Sequence, residues 1–363
     1  AETDQPAAGE ATSIQPIGAN SPGKTGPHPH PQAGLEAAPD YTALSSAMTT
    51  SHLPTVAVVI LNWNAADDTI NCLRGLTAFK HIQPQIWVVD NHSSDGSVDR
   101  LAAEYPHINL ICSSTNLGYA AGNNRALVEI REQAIDLILL LNNDATIDET
   151  NLLRLVDALH TYPEIGIVGP MMFDADQPER LLNAGGQNPV LHLTSHVSYQ
   201  AKRAPLQLVD YIPGTTMLAR RQVFLKTGLL DEAYFFSAEI PDFCHRARRH
   251  GFLSAVVTQA RAVHEVKRSS VFRESLYVYY IIRNRFRFIR KFYPRLNGLL
   301  FSFWTIYSLA LAAKLQIDGQ PHTAKAVLLG LGDGLRGRFG GQNERVLAAC
   351  SDGHTPAPLD GMS

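Results

Sequence analysis

Acids and amides at the open ends of buried strands are the groups most able to do chemistry in this chain. The apolar run Leu137-Ile138-Leu139-Leu140-Leu141 stops abruptly at Asn142-Asn143-Asp144. The run Val56 to Leu61 stops at Asn62-Trp63-Asn64, and Ile86 to Val89 stops at Asp90-Asn91. Each polar residue alone reads as a cap or turn residue. Three strand ends of the same character together predict one polar cleft, because ligands of open α/β sheets bind beyond the carboxyl ends of the strands. A second group lies further on. Glu239 precedes a predicted helix start, with Asp242 one turn into that helix, and His264 follows the last predicted strand.

The elements that must position these groups alternate. A strand over 56–61 is followed by a helix through Leu76 that opens with Asp67 and Asp68, acids suited to a helix N-terminus. Strand 86–89, helix 97–105 and strand 108–112 come next. A loop from Asn116 to Asn124, containing Gly118 and Gly122, leads into a helix ending near Gln133. After strand 137–141 come a helix from about Asp148 to Tyr162 and a strand over 165–169. Residues 174–208 read as irregular, 209–218 as mostly strand, and 253–257 as the last strand. Pro241 suits the first turn of the helix that Gly251 ends. This alternation predicts an α/β fold with a doubly wound, mostly parallel sheet flanked by helices. Right-handed crossovers bring Asn64, Asp90 and Asp144 to one edge.

The chain has 363 residues, 45% of them hydrophobic, and a net charge of −3. Nothing in that balance points to nucleic acid. Cys72, Cys112, Cys244 and Cys350 are scattered without a metal or redox spacing, as reduced thiols in a cytosolic protein would be. No basic-then-apolar leader is visible, and the start at Ala1 is that of a processed chain or a fragment. Residues 1–53 are rich in Ala, Pro, Gly, Ser and Thr, and are expected to form a disordered tail. Within it, His28-Pro29-His30-Pro31 reads as low complexity rather than a metal site.

Several motifs in this order resemble family 2 glycosyltransferases, in the rhamnosyltransferase-like branch. They are Val89-Asp90-Asn91 with Ser94-Asp95-Gly96, Asn116-Leu117-Gly118-Tyr119, Leu140 to Asp144, Asp231-Glu232-Ala233-Tyr234-Phe235 with Glu239 and Asp242, and His264. Arg283-Asn284 and Asp333 to Gly340 fit the same branch. The resemblance covers about residues 54–340. It implies a GT-A fold over 54–270, a helical C-terminal region over 271–340 and a tail over 341–363. It also implies a nucleoside diphosphate sugar donor and inversion by single displacement. Asp90 would hold the nucleobase, with Asn64, Asn116, Gly118, Asn123, Asn142 and Asn143 on the donor side. Asp144 and His264 would bind Mg²⁺ or Mn²⁺, which neutralises the diphosphate leaving group.

Two departures bear on catalysis. Asn142 stands where the family's metal motif carries another acid. Ile240 stands where many relatives carry the acid that takes the acceptor's proton. Either Glu239 or Asp242 must replace it. Glu239 is favoured, since Asp242 is placed to pair with Arg246 at i+4. The expected activity is transfer of a hexose or deoxyhexose to a saccharide or lipid-linked saccharide in cell-surface polysaccharide synthesis. The alternative is a catalytically degenerate sugar-nucleotide-binding protein.

From Arg283 to Arg295, basic residues interleave with Phe286, Phe288, Phe292 and Tyr293, and Leu296 to Ala313 carries no charge. That pairing predicts a cytoplasmic protein held peripherally on the anionic inner face of the cell membrane. The alternative is a helix pair packed on the catalytic domain.

Overall fold

The computed structural model describes residues 53–194, 204–265 and 271–350. The tail expected over 1–53, including His28 to Pro31, lies outside them save for Leu53. Strand β1 (Val56–Asn62) explains why the sheet is covered on both faces. Its Val56, Val58 and Ile60 enter one apolar cluster, and Ala57, Val59 and Leu61 enter another. Strand side chains alternate between faces, so an unbroken apolar run must be covered twice. Helices α1 (Ala66–Thr77), α2 (Ser97–Glu104) and α4 (Glu149–Thr161) lie over the first cluster. Helices α3 (Gly118–Ile130), α5 (Arg221–Thr227) and α6 (Glu239–Arg249) lie over the second.

The other strands are β2 (Gln85–Asp90), β3 (Asn109–Cys112), β4 (Leu137–Asn142), β5 (Ala145–Thr146), β6 (Ile165–Asp174), β7 (Leu181–Asn183), β8 (Leu206–Val209), β9 (Thr216–Arg220) and β10 (Leu253–His264). The sheet runs β3-β2-β1-β4-β9-β6-β10-β5, with β7 on β6 and β8 on β10. Strands β3, β2, β1 and β4 are mutually parallel, and β6 is parallel to β10. Antiparallel β9 is inserted between β4 and β6.

Several boundaries differ from the sequence reading, among them β7 and part of β8 inside the stretch 174–208 read as irregular. The strand expected over 209–218 is broken, because Asp210 to Thr215, with Pro213-Gly214, leaves the sheet between β8 and β9. The Asn116–Asn124 loop is mostly helix. Gly118 begins α3 at φ 75°, where a Cβ would lie 2.5 Å from the Phe235 carbonyl oxygen, so the entry demands glycine. Glu239 is the first residue of α6 rather than the residue before it. Strand β10 resumes after a register shift between Val257 and Arg261, so His264 is its last residue.

Among the described residues, the C-terminal region has four α-helices: α7 (Val271–Phe292), α8 (Asn297–Ile317), α9 (Pro321–Arg336) and α10 (Asn343–Cys350). Helix α10 occupies part of the segment read as a tail and buries Val346, Leu347 and Cys350. Buried Asp333 ties the bundle together by accepting from Tyr279 at 2.7 Å and pairing with Arg345 and Arg338.

Five basic residues of α7, Arg283, Arg285, Arg287, Arg290 and Lys291, are engaged within the protein. Each finds an acceptor on a neighbouring segment, although Lys291 stays partly exposed. Arg283 is fully buried and donates to the Tyr234 and Gly340 carbonyls. Arg287 and Lys291 both reach Asp231 at 2.7 Å. Arg290 donates to the Gly334 and Leu335 carbonyls, and Arg285 lies 4.1 Å over the Trp304 ring. Helix α8 is the opposite case. Together with the preceding turn it is long and apolar enough to cross a membrane by length and composition, yet only 17% of its most apolar window is buried. Leu299, Phe303, Ile306 and Leu309 are exposed along it. An apolar cleft of about 550 Å³ opens between α8 and α9, lined by Leu309, Ala312, Leu328 and Lys325 among others.

Candidate active site

At the ends of β1 and β2, Asp90 is buried and held in place. Its carboxylate accepts from the Asn62 side-chain amide at 2.8 Å and from the Ser93 backbone N–H at 2.9 Å. Asn62 in turn accepts from the Thr69 hydroxyl at 2.7 Å, tying the strand end to α1. Asn64 adopts φ 48°, a conformation Asn tolerates better than most residues. Its side-chain oxygen accepts from the Ser94 N–H at 2.7 Å. The Asn116 side-chain oxygen accepts from the Gly118 N–H at 2.9 Å and the Asn91 amide at 3.0 Å. A narrow pocket follows, lined by Trp63, Asn91, Asn116, Gly118, Tyr119 and Phe235 among others.

Asn62 and Asn91, read among the strand-end amides but given no role, and Ser93, given none either, brace this end of the sheet. Their position immediately beside Asn64, Asp90 and Ser94 was the available signal. Asn123 and Asn143 do not line this pocket. Asn123 is buried and donates back to the Tyr119 carbonyl at 2.9 Å. Asn143 is buried and donates to Thr69 at 3.2 Å.

Asp144 and His264 come together from distant parts of the chain. Residue 264 sits opposite Ala145 in the β5–β10 pairing, and the Glu265 N–H donates to the Asp144 carbonyl at 3.0 Å. The His264 Nε2 and Asp144 Oδ1 atoms are 3.2 Å apart. Both atoms are buried, and neither makes a hydrogen bond, so this is a close approach without hydrogen-bond geometry. Two buried polar atoms left facing each other fit a shared cation. Among the described residues, no group of three or more His, Cys, Asp or Glu is placed to hold a metal. Asn142 adds only a backbone bond, from its N–H to the Thr215 carbonyl at 2.9 Å.

Glu239 opens α6 and is 6% exposed, with its Oε2 buried and unpartnered. Burial pushes its carboxyl up to about 7, opposed by its own backbone N–H and reinforced by the Asp242 charge. Tyr119, from α3, faces it and donates its hydroxyl to the Gly214 carbonyl at 2.7 Å. Burial raises the Tyr119 phenol, and the Glu239 charge adds to that, so the phenol keeps its proton. Ile240 is a core residue packed near Gly214.

Asp242 is fully buried with both oxygens engaged. One accepts from Arg246 at 2.6 Å, the expected i+4 pair. The other accepts from the Tyr234 hydroxyl at 3.1 Å and lies 2.7 Å from Lys291. Lys291 belongs to the basic stretch from Arg283 to Arg295; its partners Asp231 and Asp242 are remote in sequence and give no local sign.

Residues 57–228 match the family model described as glycosyl transferase family 2. An N-acetylglucosaminyl-diphospho-decaprenol L-rhamnosyltransferase of Mycobacterium tuberculosis is 26% identical over 244 residues, 61% of this chain and 78% of that protein. The dTDP-rhamnosyl transferase RfbF of Shigella flexneri is 24% identical over 299 residues, 79% of this chain and 97% of that protein. Among solved structures, the mannosyltransferase PcManGT of Pyrobaculum calidifontis, in complex with GDP-Man and Mn²⁺, has a TM-score of 0.52 at 14% identity. That likeness covers 85% of this chain and 92% of the other, and bears out the expected GT-A fold.

Proposed function

Since the chain belongs to glycosyl transferase family 2, on its rhamnosyltransferase-like side, we propose that it moves a deoxyhexose from a nucleoside diphosphate sugar to a hydroxyl of a lipid-linked saccharide. The observation that carries the reading is Glu239. It is a buried carboxyl with one oxygen unpartnered and its pKa pushed up to about 7, at the start of a helix. A general base works best with a pKa near the operating pH.

In this reading Asp90, braced by Asn62 and Ser93, receives the nucleobase. Asn116 and Gly118 line the pocket beside it, and Asn64 holds the Ser93–Ser94 turn. Asp144 and His264 would hold Mg²⁺ or Mn²⁺, with diphosphate oxygens and water filling the remaining positions. Such an ion neutralises the charge that gathers on the diphosphate as the sugar bond breaks. Glu239 takes the proton of the acceptor hydroxyl as that oxygen bonds to the anomeric carbon. The diphosphate leaves from the opposite face, so configuration inverts. Asp242 serves as the anchor that holds the helix of Glu239.

The lipid of the acceptor brings the protein to the cytoplasmic face of the membrane. The exposed side of α8, rather than the arginines of α7, supplies the contact.

The test is a transfer assay with dTDP-rhamnose and N-acetylglucosaminyl-diphospho-decaprenol, in Mg²⁺ or Mn²⁺. Formation of a glycosylated lipid whose anomeric configuration is opposite to the donor's supports the reading. Donor binding without turnover would favour a sugar-nucleotide-binding protein.

A further inference from the structure

We infer that Arg283 and Asn284 are positioning residues, which clamp a strained turn from Tyr234 to Ala238 and so fix where Glu239 stands. The inference rests on reading Glu239 as the base.

The turn is unusual in its backbone. Phe235, Ser237 and Ala238 have φ of 65°, 65° and 72°. Side chains with a Cβ disfavour that region, and none of the three is Gly, Asn or Asp. Phe235 also has ψ −57°, and the Phe236 N–H donates to the Tyr234 carbonyl at 2.8 Å. That is a γ-turn of the rare, strained hand. Such a conformation persists only where its surroundings over-determine it.

Helix α7 supplies those surroundings. The Asn284 amide donates to the Phe236 and Ser237 carbonyls at 2.7 Å each and to the Tyr234 carbonyl at 3.2 Å. One Arg283 nitrogen donates to the same Tyr234 carbonyl at 2.8 Å, and a second bonds the Gly340 carbonyl. The Arg283 Nε donates to the Asn284 side-chain oxygen at 2.9 Å, which orients the amide. Both side chains are fully buried. A buried guanidinium directed at backbone carbonyls is a costly way to fill a core, where an apolar side chain would pack more cheaply. Its yield is geometric.

The clamped segment carries two working parts. Phe235 lines the pocket and closes on Gly118. Ala238 caps α6 in the left-handed conformation and accepts from the Asp242 N–H at 3.0 Å. The clamp therefore sets the first turn of α6, and with it the carboxyl of Glu239.

The test compares Asn284→Leu with the parent in the dTDP-rhamnose transfer assay, with donor affinity measured by calorimetry. A small misplacement of a catalytic group can slow turnover by about 100-fold. We expect kcat to fall on that order and donor Kd to rise by a smaller factor, since Phe235 of the same turn lines the donor pocket. Loosening the turn also lets water reach Glu239, which faces Tyr119 from α3 and Asp242 on its own helix. The acid limb of the kcat profile should therefore move to lower pH. The double variant Asn284→Leu with Ala238→Gly should recover part of the kcat, because glycine holds a positive φ without strain.

Unchanged kcat, parallel loss of kcat and donor affinity, an unmoved acid limb or no recovery by the double variant would each overturn the clamp. Glu239→Gln separates the two failures. If it keeps the parent kcat, the base reading falls. If it is inactive while Asn284→Leu is not slowed, only the clamp falls.

Discussion

The ammonium of Lys291 lies 2.7 Å from the carboxylate of Asp242. The same ammonium is 2.7 Å from Asp231, which Arg287 also reaches at 2.7 Å. Helix α7 of the C-terminal region is thereby ion-paired to the helix that begins with Glu239. Removing one partner of a buried pair costs about 3–5 kcal/mol. Lys291 is 31% exposed, so its share is smaller. Lys291→Met should lower stability by about 2 kcal/mol after that discount. Urea denaturation followed by circular dichroism measures it; an unchanged midpoint would make the pair ornamental.

The carboxyl of Glu239 gives two linked expectations with pH. As a base it must be ionised, so kcat should rise with pH through about 7. Stability runs the other way. The native carboxyl holds its proton more tightly than the unfolded one, so its favourable contribution is complete below about 4.5 and is lost as pH rises through about 7. A rise of that size corresponds to about 3 kcal/mol. Glu239→Gln should therefore melt higher than the parent at pH 8 and close to it at pH 4. Equal differences at both pH values would mean that the carboxyl is not held neutral by burial.

Asp144 and His264 should act together on the metal. Asp144→Asn and His264→Ala should each remove the enhancement of donor binding by Mn²⁺, as should chelation of the parent. Calorimetric titration of donor with and without Mn²⁺ reads this directly. Undiminished enhancement in either variant would take that residue out of the site.

With the arginines of α7 turned inward, membrane attachment should depend on apolar area and little on salt. Flotation with anionic liposomes should survive high salt in the parent. It should fail when Leu299 and Ile306 on α8 are both replaced by Ser, since each loses its apolar contact with the acyl boundary. Release by salt alone would restore the electrostatic account. Retention in alkaline carbonate would show that α8 spans.

What was legible in the sequence follows from how local its cause is. Strands β1 and β4 could be read because each is apolar at successive positions, a pattern that buried parallel strands produce. The Asp242–Arg246 pair could be read from i+4 spacing. The direction of the α7 arginines could not, although Arg283, Arg287 and Arg290 or Lys291 recur at helical spacing along one stripe. Their acceptors include the Asp231 carboxylate, the Pro189 and Tyr234 carbonyls and carbonyls beyond residue 333, visible only once the chain is folded. The turn before Glu239 was hidden for a related reason. Its left-handed positions are Phe235, Ser237 and Ala238, so no glycine marks them, and the donors that hold them lie in another helix.

The register shift within β10 bears on the order in which the molecule is assembled. It lets one strand pair along β6 and still deliver its last residue beside β5. Asp144 is present as soon as β4 forms, whereas His264 arrives only when the final strand docks. Closing so long a loop is entropically unfavourable until the rest of the sheet is in place to receive it. A nascent chain halted before residue 253 lacks β10, against which β5 and β8 pair, and has only half of the paired Asp144–His264 unit. Affinity for a cation at this point would thus mark completion of the sheet, and a bound donor would stabilise finished molecules by mass action while leaving incomplete ones untouched.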